Sequence, residues 1–300
     1  MIRHRMLLPL LLAVGMLSIS SSAILVRWCD DAPPVVIAAA RLGIATIVLV
    51  PGLAATRGVR LLRIPPKLTG YILFGGLFLA AHFFFWMTSL RHTSVLSSVV
   101  IVTTNPIFVS IGSWLLLRER IYAALIVGIC LAASGGVLIS ISDHSVGSEN
   151  GLSGNLLALG GAVTASGYLL IGRKVRAEVD VFSYMVSVYG VAAVILCAAA
   201  SLSGVGAAGY RWQTYACFVA LAIAPQLLGH GSLNYALKHL SATFVSVCIL
   251  AEPVGAGILA YLLLGETAGT AQLIGAAMIL AGIFIATRGP FMAPERAAAR

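Results

Sequence analysis

Ten apolar runs of roughly twenty residues, at 6–26, 34–55, 68–90, 94–117, 122–141, 152–172, 181–203, 213–237, 241–264 and 268–287, take up most of this sequence. A helix needs about 20 apolar residues to cross ~30 Å of hydrocarbon. Backbone in lipid must also satisfy its own hydrogen bonds, which leaves helices or closed barrels. Runs of this length therefore predict an all-α membrane protein with ten transmembrane helices. The longest polar connection, from Ser142 to Gly151, is too short for a soluble domain. Arg3-His4-Arg5, a leucine-rich run and Ser20-Ser21-Ser22-Ala23 imitate a signal peptide. Apolar character continues through Ile24-Leu25-Val26, so 6–26 is kept as the first span.

Composition agrees. Of 300 residues, 60% are hydrophobic and 10% charged, against about 25% charged in soluble domains. The net charge of +9 taken alone points to nucleic acid, but the basic residues lie in short clusters between apolar runs rather than on one folded face. Those clusters set the orientation. Fifteen Lys/Arg fall on one side: Arg3, Arg5, Arg57, Arg60, Arg63, Lys67, Arg118, Arg120, Arg173, Lys174, Arg176, Lys238, Arg288, Arg296 and Arg300. Three fall on the other, Arg27, Arg91 and Arg211, and Arg41 lies inside a span. The split predicts both termini on the cytoplasmic side of a bacterial inner membrane, with Asp30-Asp31 outside. Cys29, Cys130, Cys197, Cys217 and Cys248 form no CxxC pair, and neither a disulfide framework nor a metal site is implied.

The chain also matches itself. Residues 90–135 align without a gap on 237–282, an offset of 147, with 13 identities in 46 positions. The matches include His92/His239, Pro106/Pro253, Glu119/Glu266, Gly128/Gly275 and Gly135/Gly282. Five spans separate each residue from its mate. An odd number inverts one half relative to the other, which predicts a pseudo-two-fold axis in the membrane plane. The halves are taken as 1–147 and 148–300. Inverted repeats point to transporters, although a duplicated scaffold or receptor remains open.

Two five-helix repeats, the Asn105-Pro106/Glu252-Pro253 pair and Gly265-Glu266 together resemble the drug/metabolite transporter superfamily, EamA-type. The resemblance covers essentially the whole chain and leans to the amino-acid exporters, the aromatic amino-acid exporter branch included. It implies a central cavity lined by spans one to four and six to nine, with five and ten peripheral, and alternating access.

Ionisable groups in a span cost on the order of 2.5–3.5 kcal/mol at the centre on insertion scales, so each calls for a reason. Glu252 is the only acid deep in a span, and its repeat mate is Asn105. Each precedes a proline (Pro253, Pro106), which cannot donate to the carbonyl four residues back and kinks the helix. Glu252 and Asn105 read either as a substrate-amine or proton site, or as a helix–helix hydrogen bond between the kinks. Gln226, His230 and Asn234 lie at i, i+4 and i+8 on one helical face, and His82, Trp86 and Ser89 share a face of the third span. Thr164 and Tyr168, with Ser18 and Ser22, form smaller polar steps, and Tyr235 adds aromatic surface. The histidines could equally be packed core residues. Arg41, about seven residues into its span, is expected to snorkel to the interface rather than meet a substrate carboxylate. Gly135-Gly136, Gly275 and Gly282 read as close helix packing.

No HExxH, GxSxG or metal-spaced cluster occurs, and the near phosphate loop Gly167–Lys174 has Arg173 where the lysine belongs. The expectation is a non-enzyme without cofactor or ATPase subunit, working on a small-molecule substrate within the lipid bilayer. Few fixed charges disfavour phosphorylated sugars, which need Lys/Arg clamps. Abundant aromatics favour hydrophobic or aromatic amino acids, with Glu252 and Asn105 for the ammonium and His82, His230 or half-helix amides for the carboxylate. A multidrug carrier of the same fold is the alternative, and a lipid-modifying enzyme or scaffold the more distant one.

Overall fold

The computed structural model describes residues 2–57, 64–93, 95–118, 122–142, 151–264 and 269–286. Gly265-Glu266, Glu119 and the 143–150 connection lie outside them. The first half comprises α1 (Ile2–Ser20), α2 (Ser22–Trp28), α3 (Pro34–Arg57), α4 (Pro66–Ser89), α5 (Val95–Val102), α6 (Asn105–Gly112) with a π turn at Ser113–Leu117, and α7 (Ala123–Ser142). The second comprises α8 (Gly151–Val175), α9 (Val181–Leu202), α10 (Trp212–Leu221) with a π turn at Ala222–His230, α11 (Gly231–Ala236), α12 (Ala242–Ile249), α13 (Glu252–Leu264) and α14 (Thr270–Ala286). No strand occurs among the described residues.

Among the described residues eight helical stretches are long and apolar enough to cross a membrane, and the two shorter apolar ones, in α7 and α14, complete ten spans. At ~1.5 Å per residue, even the 17-residue α14 reaches the lower limit for a crossing. Leu17, Ile47, Leu116 and Val194 are each more than half exposed. On a soluble protein such an outer surface would aggregate; in lipid it is the solvated face.

The repeat is visible in where helices begin. Elements start at 34 and 181, 95 and 242, 105 and 252, and 123 and 270, each pair 147 apart. The breaks repeat too, since α5 stops at Val102 and α12 at Ile249, three residues before the next helix in both halves. Pro106 and Pro253 account for these breaks, because neither can donate back across the turn. Asn105 and Glu252 are thereby left at the first position of a new half-helix in mid-membrane.

Spans five and ten pack chiefly on each other, at the periphery. A Cβ added to Gly128 or to Gly282 would lie 2.5 Å from the other's carbonyl oxygen, and one added to Gly135 would lie 2.5 Å from the Gly275 carbonyl. Gly128 thus meets the mate of Gly135, and Gly135 meets the mate of Gly128, as a two-fold axis between the helices requires. Val100 with Val247 and Ala132 with Ile279, again mates, fill a small core beside this contact. The main core lies among the other eight spans.

Gly282→Val should therefore push the two backbones apart, costing about 1–3 kcal/mol of overpacking. Gly257→Ala, with nothing within 4 Å of its Cβ, should be neutral. Thermal unfolding of the detergent-purified variants checks this.

Candidate functional site

Seven spans turn side chains toward one central cavity of about 40 Å³, room for about three waters. Its wall carries Arg41, His82, Trp86, Asn105, Tyr168, His230 and Glu252 between apolar groups such as Phe83, Leu169, Leu233 and Ile249. Six of the side chains singled out in the sequence therefore meet in one place: Glu252, Asn105, His82, Trp86, Tyr168 and His230.

Arg41 corrects the sequence reading. It is 1% exposed and does not snorkel, because its face of α3 turns into the bundle. Its Nε donates to Gln226 Oε1 at 2.7 Å and its Nη1 to Ser22 Oγ at 2.7 Å. The guanidinium carbon lies 4.2 Å from the centre of the Phe83 ring, a cation–π contact. Nη2 has no hydrogen-bond partner. Two of the three guanidinium nitrogens and one face are thus engaged, and the third nitrogen stays free on a residue of the cavity wall.

Glu252 (6% exposed) and Asn105 (3% exposed) enter from the two broken spans. As the first residue of α13, the Glu252 carboxyl sits at the positive end of a half-helix dipole. It makes no ion pair with Arg41, although both line the same cavity. One end of the Asn105 amide, the Trp86 indole N–H and His230 Nδ1 are likewise buried without partners. Buried polar groups are normally satisfied, so their gathering around one cavity marks it as a place for a polar guest.

The aromatic wall is ordered. His82 Nδ1 donates to the Gly161 carbonyl oxygen at 3.0 Å, and the ring stacks on Trp86 with ring centres 6.3 Å apart. His230 lies 6.4 Å from His82 and 5.4 Å from Phe83, centre to centre. His230 ends the π turn Ala222–His230, which also holds Pro225 and Gln226. Turns with i→i+5 bonds recur at functional sites.

Two candidates do not reach the cavity. Asn234 is fully buried behind it, accepting from Tyr168 Oη at 2.7 Å and donating to Tyr189 Oη at 3.0 Å. Tyr235, half-buried, faces the helix end and packs on His239 at 5.1 Å. The i, i+4, i+8 spacing aligns Gln226, His230 and Asn234 along the eighth span, but their depths differ and so do their partners. Thr164 turns back onto the Gly160 and Gly161 carbonyls, and Ser89 pairs with Ser98 at 2.6 Å. No group of three or more His, Cys, Asp or Glu able to hold a metal occurs among the described residues.

The model of the EamA-like transporter family matches the chain twice, over residues 6–141 and 152–288. The chain belongs to this family. Among its relatives is an uncharacterized transporter of Clostridium kluyveri, 26% identical over 81% of this chain and 79% of the relative. The uncharacterized transporter YyaM of Bacillus subtilis is 24% identical over 83% of each chain. One solved crystal structure superimposes with a TM-score of 0.77 over 93% of this chain and 96% of its own, at 23% identity, which extends the likeness to the fold. This EamA-like transporter is thus a multi-pass membrane protein, and its cavity lies where the two halves meet.

In this transporter Asn234 is a support for Tyr168 rather than part of the wall. Asn234→Ala would leave both tyrosine hydroxyls without their partner, at about 1–3 kcal/mol. A lowered thermal midpoint in detergent checks that outcome.

Proposed function

We propose that this is a secondary transporter moving hydrophobic or aromatic amino acids outward across a bacterial inner membrane by alternating access, with both termini cytoplasmic and 1–147 and 148–300 as its inverted halves. One observation carries the substrate class. Arg41 and Glu252, a basic and an acidic side chain, line the same cavity without an ion pair between them. An α-amino acid head answers both at once: its carboxylate meets the free Arg41 Nη2, and its ammonium meets Glu252 and Asn105. Phe83, Trp86, Leu169 and Ile249 offer an apolar bed for the side chain, in the usual division of a small-molecule site. His82 and His230 flank the carboxylate end.

The cavity holds about three waters and no amino acid, so loading requires one end of the bundle to open. The broken fourth and ninth spans supply places to bend. The fifteen-to-three Lys/Arg split supports the orientation. Resemblance to the amino-acid exporters supports the outward direction. A carrier is favoured over a lipid-modifying enzyme because the polar groups gather within the bundle and the relatives are named transporters.

The test is counterflow of labelled phenylalanine, methionine and threonine into proteoliposomes, with a sugar phosphate and a quaternary ammonium drug as controls. Glu252→Gln and Arg41→Lys should each lower amino-acid flux at least about tenfold, the equivalent of ~1.4 kcal/mol, while the protein still folds. Arg41→Lys keeps the charge but loses the planar fork. Full activity of Glu252→Gln would remove the carboxylate from the site, and flux of the drug or sugar phosphate alone would overturn the substrate class.

A further inference from the structure

The two ends of the bundle are fastened by residues that the repeat relates. At one end the turn joining the first two spans is held by Asp31, whose carboxylate accepts from the Arg211 backbone N–H at 2.8 Å and the Thr214 hydroxyl at 2.5 Å. The Arg211 guanidinium pairs with it at 3.5 Å and also with Asp30. Arg91, from the turn after the third span, donates to the carbonyls of Cys29 (2.8 Å), Asp30 (3.0 Å) and Ala32 (2.7 Å). The Arg211 N–H and the Thr214 hydroxyl hold the Asp31 carboxyl below the usual carboxylate range, so it is charged at neutral pH.

At the other end the turn joining the sixth and seventh spans is held by Glu178, paired with Lys67 Nζ at 2.8 Å. Arg176 of the same turn donates to the Asn234 carbonyl at 2.9 Å, and Arg173 donates to the Leu237 carbonyl at 3.1 Å. The offset of 147 that aligns the halves carries Asp31 to Glu178 and Lys67 to Thr214. The bond from Thr214 to Asp31 is therefore the repeat mate of the bond from Lys67 to Glu178. Both fasten the first turn of one half to the start of the other half's third span, at opposite membrane faces.

We propose that Asp31 and Glu178 are twin gating residues, each holding its own face shut and letting go when the cavity opens there. The assignment rests on the transporter reading and is independent of which substrate the cavity takes. Partly exposed ion pairs each contribute little to stability. Several in parallel can close a face and still release it, which a deeply buried bridge could not do. In this structure both fastenings are made together, in keeping with a cavity too small for cargo. A pair of acids at mated positions also provides what alternation requires, namely that either face can be released while the other holds.

The experiment needs no substrate. In a background with all five cysteines replaced, a single cysteine at Ala165 on the cavity wall is labelled with a membrane-impermeant maleimide in right-side-out and in inside-out vesicles. Asp31→Ala should raise the labelling rate several-fold from the Asp31 face only, and Glu178→Ala from the Glu178 face only. Thr214→Val and Lys67→Ala remove the two mated bonds from the other side and should each raise labelling from the same face as the matching acid variant, which keeps the test decisive if an acid variant fails to fold. Faster labelling from the same face in both variants, or unchanged labelling from both faces, would overturn the proposal. Opposite-face labelling without amino-acid flux would uphold the gates and reject the substrate assignment.

Discussion

The Arg41 guanidinium lies in a bundle whose outer surface meets hydrocarbon, so its charge has to be answered from inside. Gln226, Ser22 and the Phe83 ring do this from the eighth, first and third spans. A buried cation that lost one of these partners would face a desolvation penalty of several kcal/mol. Four spans are therefore brought to one point by one side chain, and the cavity forms around it. In the proposed function, the remaining nitrogen and Glu252, which makes no ion pair with it, are the groups offered to the substrate.

The inverted repeat supplies the frame, but not the chemistry, equally from both halves. The offset of 147 takes Arg41 to Val188 and Ser22 to Leu169, while Glu252 goes back to Asn105. Each half thus contributes the same breaks and helix starts, and each contributes one charge that the other lacks. A polar head bound between them has a defined direction even though the scaffold is nearly symmetric. The glycine contacts of the fifth and tenth spans keep that scaffold together at its edge, away from the cavity.

Much of this could be read from the chain. Run lengths located the spans to within a few residues, since hydrocarbon thickness leaves helices little latitude. The repeat register and the Asn-Pro and Glu-Pro pairs located the breaks. Arg41 was misread because its depth, seven residues from a helix start, allows both snorkelling and burial; only the packing face of α3 decides. Helical spacing puts Asn234 on the face of His230 and composition offers Tyr235 as aromatic surface, but neither says what lies opposite. The gating acids sit in turns outside the gap-free alignment, where Asp31 and Glu178 share charge but not identity, and only the contacts with Thr214 and Lys67 reveal them as mates.

The proposed function requires one cavity to recognise a carboxylate and an ammonium together. It is tested most directly by counterflow in proteoliposomes with phenylalanine, phenethylamine and 3-phenylpropionate, which share an aromatic body and differ in the charged head. The account predicts that phenylalanine is exchanged and that each single-charge analogue is exchanged at least about tenfold more slowly, ~1.4 kcal/mol being lost with either contact. Equal exchange of phenethylamine or of 3-phenylpropionate would contradict it.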